Sequence, residues 1–298
     1  NLSVAIAMES GAQIGEIVDI VAAAKSAAGE GADQGTKAFM QAWMAKADTL
    51  IGLAAEDEAR GRNFSAGSKL ERAALYLLNG ERMQAHGAPG RMETYARARQ
   101  CFDRATKLGK LNCERVEIPL ETGTMAALWT RAPGDGAKPA VVYCNGLDSN
   151  KELLYWSWLP HALARRGIST LCVDQPGTGE ALRLQNLPAT PYSEQWASKA
   201  VDWLEQQPEV DAQRIGMTGI SLGGHYAPRA VAYEPRFASG ACWGANHNWA
   251  EVQQKRLRRE GENPVPHYWA HVMWVFGGSD MDDFHARTAD MNLNGHMD

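Results

Sequence analysis

Ile215-Gly216-Met217-Thr218-Gly219-Ile220-Ser221-Leu222-Gly223-Gly224-His225 is the stretch on which the reading of this chain turns. Residues 215–218 form a short β-like run, and residues near 222–234 have helical composition. The G-x-S-x-G between them therefore falls on a strand-to-helix turn. Such a turn requires small residues two before and two after the serine, because a side chain at 219 or 223 would collide with the neighbouring strand or helix. The turn holds Ser221 in strained backbone geometry, and the N-terminus of the following helix favours a developing oxyanion beside it. Ser221 is the candidate nucleophile; the plain alternative is a Gly-rich turn after a buried strand.

Working outward, β-like runs occur at 113–120, 125–130, 140–144, 170–174, 215–218 and 238–243. The third to sixth alternate with helical segments near 152–166, 192–207 and 222–234, which predicts a mostly parallel sheet with helices on both faces. The first two runs are close enough to pair as an antiparallel hairpin at its edge. Residues 1–112 read differently, as Ala-rich helices near 12–28, 35–60, 67–86 and 91–108. They are punctuated by Gly29-Glu30-Gly31, Gly61 and Gly87-Ala88-Pro89-Gly90. Leu70, Ala73, Ala74 and Leu77 recur at the spacing of an amphipathic helix. After Trp243 the chain turns helical again. The expected division is a helical N-terminal region at 1–112, an α/β core at 113–245 and a helical cap segment at 246–298.

Composition excludes several classes. The chain has 298 residues, 45% hydrophobic, and a net charge of −5, so it can bury a core and presents no basic footprint for nucleic acid or anionic membrane. No apolar stretch approaches the ~18 residues of a membrane span. The five cysteines, Cys101, Cys113, Cys144, Cys172 and Cys242, include no C-x-x-C pair. Four of them fall in β-like runs, where reduced, buried thiols are expected. A cytoplasmic location follows as an expectation, and no metal or organic cofactor has a motif.

Two loops after predicted strands extend the pattern: Asn145-Gly146-Leu147-Asp148-Ser149-Asn150-Lys151-Glu152 and Asp174-Gln175-Pro176-Gly177-Thr178-Gly179-Glu180. With Ser221-Leu222-Gly223-Gly224-His225-Tyr226-Ala227 and the early Gly11-Ala12-Gln13-Ile14-Gly15-Glu16-Ile17, they resemble an α/β-hydrolase subfamily. It contains 2,6-dihydroxypseudooxynicotine hydrolase and the fungal enzymes that shorten polyketide chains. The resemblance implies an α/β-hydrolase core, a serine nucleophile, and oxyanion-hole amides at Leu147 and Leu222. It also implies a helical N-terminal region closing over the site and cleavage of a carbon–carbon bond next to a ketone in an aromatic or polyketide-like small molecule. Asp148 would help to position the substrate, and the protein would be a homodimer. A carboxylesterase or lactonase using the same serine is the alternative within enzymes. A non-catalytic binding or regulatory protein on the same scaffold is the alternative outside them.

One departure is evident. A triad of this kind runs Ser, then Asp or Glu, then His. The acid and histidine candidates after Ser221 (Asp280, Asp282, Asp283, Asp290, Asp298; His225, His247, His267, His271, His285, His296) follow no recognisable further strand. Residues 292–298 read as the end of a helical cap. The triad acid and histidine are therefore expected to be absent from this chain, together with the last two strands. His225, one helical turn past Ser221, is a substitute base or a packing residue. His247, beside Trp243 and Asn246, is expected to line the pocket. The aromatics Trp243, Trp249, Tyr268, Trp269, Trp274, Phe276 and Phe284 line that pocket or join cap to core. The basic run Lys255-Arg256-Leu257-Arg258-Arg259, flanked by Glu251, Glu260 and Glu262, reads as a solvated helix face.

Overall fold

The computed structural model describes residues 2–28, 34–244, 246–259 and 266–295. Its chain divides into two compact units, Asn1–Asn112 with Val265–Tyr268, and Cys113–Pro264 with Trp269–Asp298.

The first unit is helical: α1 (Leu2–Glu9), α2 (Ile14–Ala27), α3 (Gln34–Ala59), α4 (Asn63–Glu81) and α5 (Arg91–Gly109). Helix α4 is its axis, with Leu70 and Ala73 through Glu81 all buried. An apolar stripe broadens to an all-round buried helix because α3 and α5 both pack on it. A Cβ on Gly67 would lie 2.9 Å from the Gly109 amide nitrogen, so glycine sets how closely α4 and α5 cross. Trp43 and Tyr76 meet at 5.3 Å between ring centroids. At the end of α4, Glu81 accepts from Arg91 Nε at 2.7 Å, both side chains essentially without solvent. The early helix α1 is additional to the four expected, and the punctuation at Gly29 to Gly31 lies outside the described residues.

The second unit carries a six-stranded sheet of β1 (Glu114–Leu120), β2 (Gly123–Thr130), β3 (Lys138–Cys144), β4 (Ser169–Val173), β5 (Val210–Ile220) and β6 (Phe237–Trp243). The order is β1-β2-β4-β3-β5-β6. The β1–β2 hairpin is antiparallel and lies at one edge, as expected, and β2 also runs antiparallel to β4. From β4 onward every pairing is parallel. Register places Cys144 level with both Val173 and Gly219, and Ile220 level with Trp243. The loops that follow β3, β4, β5 and β6 consequently leave the sheet at one edge, where open α/β sheets bind ligands.

Between strands run α6 (Lys151–Trp156), α7 (Trp158–Ala164), α8 (Gly179–Gln185), α9 (Ser193–Glu205) and α10 (Gly223–Tyr233). Helix α8 was not expected, because its two flanking glycines read as a loop. The final stretch holds α11 (Trp249–Arg258), α12 (Tyr268–Phe276) and α13 (Met281–Thr288). Trp249, Phe276 and Phe284 close a mutual cluster with centroids 5.0 to 6.2 Å apart, and Trp269 joins Phe284 at 6.3 Å. These rings join α11, α12 and α13 to one another. Residues 292–295 are not helical as expected: Asn292 bridges antiparallel to Asn248, and residues 296–298 lie outside the described residues.

One expectation on burial needs correction. Cys242 is exposed, whereas Cys101, Cys144 and Cys172 are buried and Cys113 is intermediate. Strand β6 is the outer strand among the described residues, and only its Phe237 is buried, so a β-like sequence there does not imply a covered side chain. Lys255 to Arg259 are mostly exposed, and Lys255 pairs with Glu251 at 2.6 Å, as a solvated face requires. Among the described residues no helix is long and apolar enough to cross a membrane.

Candidate active site

Strand β5 delivers the serine. Ser221 sits at φ +58, a conformation costly for any residue with a Cβ. Two glycines make it possible. A Cβ on Gly219 would lie 2.0 Å from the Gly223 carbonyl oxygen and 2.7 Å from Cys144 Sγ, and one on Gly223 would lie 2.7 Å from the Cys144 carbonyl oxygen and 2.8 Å from that of Asn145. Both are contacts that no real side chain survives. The Ser221 amide donates to the Trp243 carbonyl at 2.8 Å, and the Ser221 carbonyl accepts from Gly224 at 2.9 Å. The residue itself is exposed and Leu222 is buried.

The loop after β3 lies against the serine. A Cβ on Gly146 would sit 3.1 Å from Ser221 Cβ and 3.5 Å from its Oγ, so the loop leaves little room for a side chain beside the serine. Leu147, Asp148 and Ser149 follow, each partly exposed. Among the described residues the Leu147 and Leu222 amides donate to no protein acceptor. Helix α6 is capped by Asn150, whose side chain accepts from the Leu153 amide at 3.0 Å. Asp148 is therefore not its cap.

The loop after β4 braces the one after β3. Asn145 donates its amide to Gln175 Oε1 at 3.0 Å, and Gln175 Nε2 returns a bond to the Asn145 carbonyl at 3.0 Å. Asp174, fully buried, accepts from the Lys151 and Glu180 amides at 2.7 and 2.9 Å. Gly179, at φ +41, has no room for a Cβ because it would lie 2.0 Å from the Asp174 carboxyl. Lys151 Nζ reaches Glu152 Oε1 at 2.6 Å, Glu180 Oε1 at 2.6 Å and Asp174 Oδ2 at 3.1 Å. Burial pushes the Glu152 carboxyl up from its ordinary range. Its Oε2 has no partner among the described residues. Every one of these residues stands in the quoted motifs, but residue order does not show that they cluster. The available signal was a run of charges, Lys151-Glu152 and Asp174 to Glu180, in loops that follow adjacent buried strands.

The histidines separate. His225 is fully buried, and its Nδ1 lies 2.8 Å from the Asn246 carbonyl oxygen, so that nitrogen donates and Nε2 is left as acceptor. Burial lowers its pKa. This geometry fits packing rather than service to Ser221. His247 is exposed, with Nε2 3.0 Å from Asn294 Oδ1. Among the described residues no side chain hydrogen-bonds Ser221 Oγ; His296 and Asp298 lie outside them. Trp243, half-exposed, stacks obliquely on Trp158 at 6.1 Å.

Comparison with known proteins gives a consistent picture. A family model described as FrsA-like esterase matches residues 38–293. The 2,6-dihydropseudooxynicotine hydrolase of Paenarthrobacter nicotinovorans is 32% identical over 209 residues, covering 68% of this chain and 53% of that protein. The alpha/beta hydrolase gkaG of Penicillium citrinum is 28% identical over 236 residues, covering 76% of this chain and 53% of that protein. The chain thus spans about half the length of these relatives. A crystal structure of 2,6-dihydroxy-pseudo-oxynicotine hydrolase superposes with a TM-score of 0.78 at 23% identity, covering 99% of this chain and 77% of that one. With the strand order above, this likeness shows the α/β-hydrolase fold.

Proposed function

This chain belongs to the FrsA-like esterase family, and from that premise we propose that it is a serine hydrolase acting on a carbon–carbon bond beside a ketone. The observation that carries the reading is Ser221 at φ +58, with Gly146 so near that a Cβ there would lie 3.1 Å from Ser221 Cβ, and with Leu147 and Leu222 amides that donate to no acceptor among the described residues. Ser221 Oγ attacks the acyl carbonyl, and its electrons move onto the oxygen, which the two amides hold. The carbonyl re-forms as the C–C bond breaks, and the leaving carbon departs as an enolate or phenolic carbanion that takes up a proton. Water then releases the acyl group from Ser221. The reading requires, besides these groups, a histidine to take the Oγ proton and a carboxylate to orient it. Asp148 orients a substrate hydroxyl, and His247 with the nearby Trp243 borders the pocket. The relative named 2,6-dihydropseudooxynicotine hydrolase supports an aromatic ketone as substrate class.

Ester cleavage by the same serine is the second reading, favoured by the family's description as esterase and by the easier departure of an alkoxide. Saturation kinetics on an aryl ketone and a p-nitrophenyl ester, with fluorophosphonate labelling of Ser221, separate the two. A higher kcat/KM on the ketone is the expected result. Turnover of the ester alone supports the second reading, and a Ser221 that takes no label overturns both.

A further inference from the structure

The loop that would supply the Leu147 amide is tied at both of its ends to the loop after β4. At its start, Asn145 is bracketed by the Gln175 side chain and also sends Nδ2 to the Val173 carbonyl at 2.7 Å. At its end, Lys151 is tied twice to one carboxylate, through its amide to Asp174 Oδ1 at 2.7 Å and through Nζ to Asp174 Oδ2 at 3.1 Å. Nζ goes on to Glu180, and Arg115 on β1 holds Glu180 from the other side with bonds of 2.7 and 3.1 Å. The ammonium therefore links the start of α6 to the hairpin strand β1 through buried carboxylates.

We infer that Lys151 is the positioning residue of the candidate oxyanion hole, fixing loop 145–150 so that the Leu147 amide stands beside Ser221 before any substrate binds. The inference rests on the serine-hydrolase reading above. A lysine with 0% side-chain exposure is expensive to bury, and an apolar side chain of similar volume would fill the space at less cost. What the ion cluster adds is geometry. In a low-dielectric interior the Lys151 ammonium cannot leave its carboxylates without becoming an unpaired buried charge, which favours one arrangement of the loop ends over several. Fixed ends leave only residues 146–149 between them, and Gly146 is so near the serine that a Cβ on it would lie 3.1 Å from Ser221 Cβ. A donor held in place in advance is worth more to a developing oxyanion than one that must be ordered during reaction. Lys151 touches no reacting atom in this scheme; it acts through the loop.

The test is saturation labelling of the full-length protein with a fluorophosphonate, well below the melting temperature, comparing the native protein with Lys151→Met. The expected result is a maximal labelling rate lower by about 30-fold at an unchanged half-saturating concentration, since loss of one oxyanion donor typically costs on the order of 100-fold or more. Should Lys151→Met not fold, Lys151→Met/Glu180→Gln removes one buried charge of each sign and is expected to show the same slowing in a folded chain. A folded variant that labels at the native rate, with only its melting temperature lowered, makes Lys151 a structural residue and overturns the inference while leaving the serine reading intact. A native full-length protein that takes no label at Ser221 overturns the serine reading, and the inference falls with it.

Discussion

The amide of Ser221 donates to the carbonyl of Trp243 at 2.8 Å, which ties the turn after β5 to the end of β6. That bond uses the serine's own N–H, so the oxyanion donors of the proposed chemistry have to come from the next residue, Leu222, and from across the sheet edge, Leu147. It also helps to hold Ser221 at a positive φ that the isolated peptide would not keep.

Ser221→Ala is expected to abolish fluorophosphonate labelling while leaving the circular dichroism spectrum unchanged, because the backbone bonds on both sides of the residue survive. Ser221→Gly is expected to be equally inert and more stable than Ser221→Ala by about 1 kcal/mol, since glycine adopts φ +58 without strain. Urea titration of the two variants checks the difference. Equal stability would mean that the turn stores no strain.

Gly219→Ala and Gly223→Ala are expected to cost at least about 3 kcal/mol each or to prevent folding, because the new methyl would meet backbone oxygen within 2.0 and 2.7 Å. Gly52 offers the opposite case. It lies exposed in α3 with nothing within 4 Å of a built Cβ, so Gly52→Ala is expected to add about 1 kcal/mol through helix propensity alone. Thermal unfolding of the three variants reads both signs.

Asn150, not Asp148, caps α6. Asn150→Ala is therefore expected to cost about 1 kcal/mol of stability. Asp148→Asn is expected to leave the unfolding midpoint within about 0.5 kcal/mol of native and to slow cleavage of a hydroxylated aryl ketone more than that of a p-nitrophenyl ester. Equal kinetic losses on both substrates would remove Asp148 from substrate positioning.

Glu234 is held by Arg236 through bonds of 2.9 and 2.7 Å, and this pairing lowers its carboxyl pKa to about 2 from an ordinary 4.5. A depressed carboxyl pKa stabilises the fold at pH above the unfolded value, and the contribution is lost as pH falls through the folded one. Glu234→Gln is expected to cost about 1 kcal/mol at pH 7, since Arg236 is partly in solvent. The gap to native should narrow between pH 4.5 and 2 and close below that. Denaturant titrations at pH 7, 4 and 2 would show it; a gap independent of pH would mean that the pair's charge contributes nothing.

Local chemistry was legible in the sequence wherever the constraint acts over a few residues. Glycines at 219 and 223 are dictated by atoms of the turn and of the adjoining strand end, so the elbow, the run of parallel strands and the hairpin at the edge could all be read from residue order. The strand bounds were less so. Residues 210–214, with Asp211, Gln213 and Arg214, have no β-like alternation, yet they extend β5 because Lys138 on β3 pairs with Val210. Helix α8 is hidden in the sequence for a related reason: Gly179 reads as a breaker, but a glycine is required there by the Asp174 carboxyl packed against it. What tertiary structure alone decided is which distant side chains meet. Lys151 finds Asp174 and Glu180 only because β3 and β4 are neighbours and their loops leave the same edge. Among the described residues Cys242 lies on the outermost strand and is exposed, whereas Cys172 lies inside the sheet and is buried, a difference of strand order that hydrophobicity does not encode. His225 faces Asn246 rather than Ser221 because the helix after the turn carries its side chain away from the residue that precedes it. Sequence fixes the local turn through short-range sterics; the partners of a buried charge are fixed by the folding of the whole sheet, where leaving it unpaired costs more than any local preference can offset.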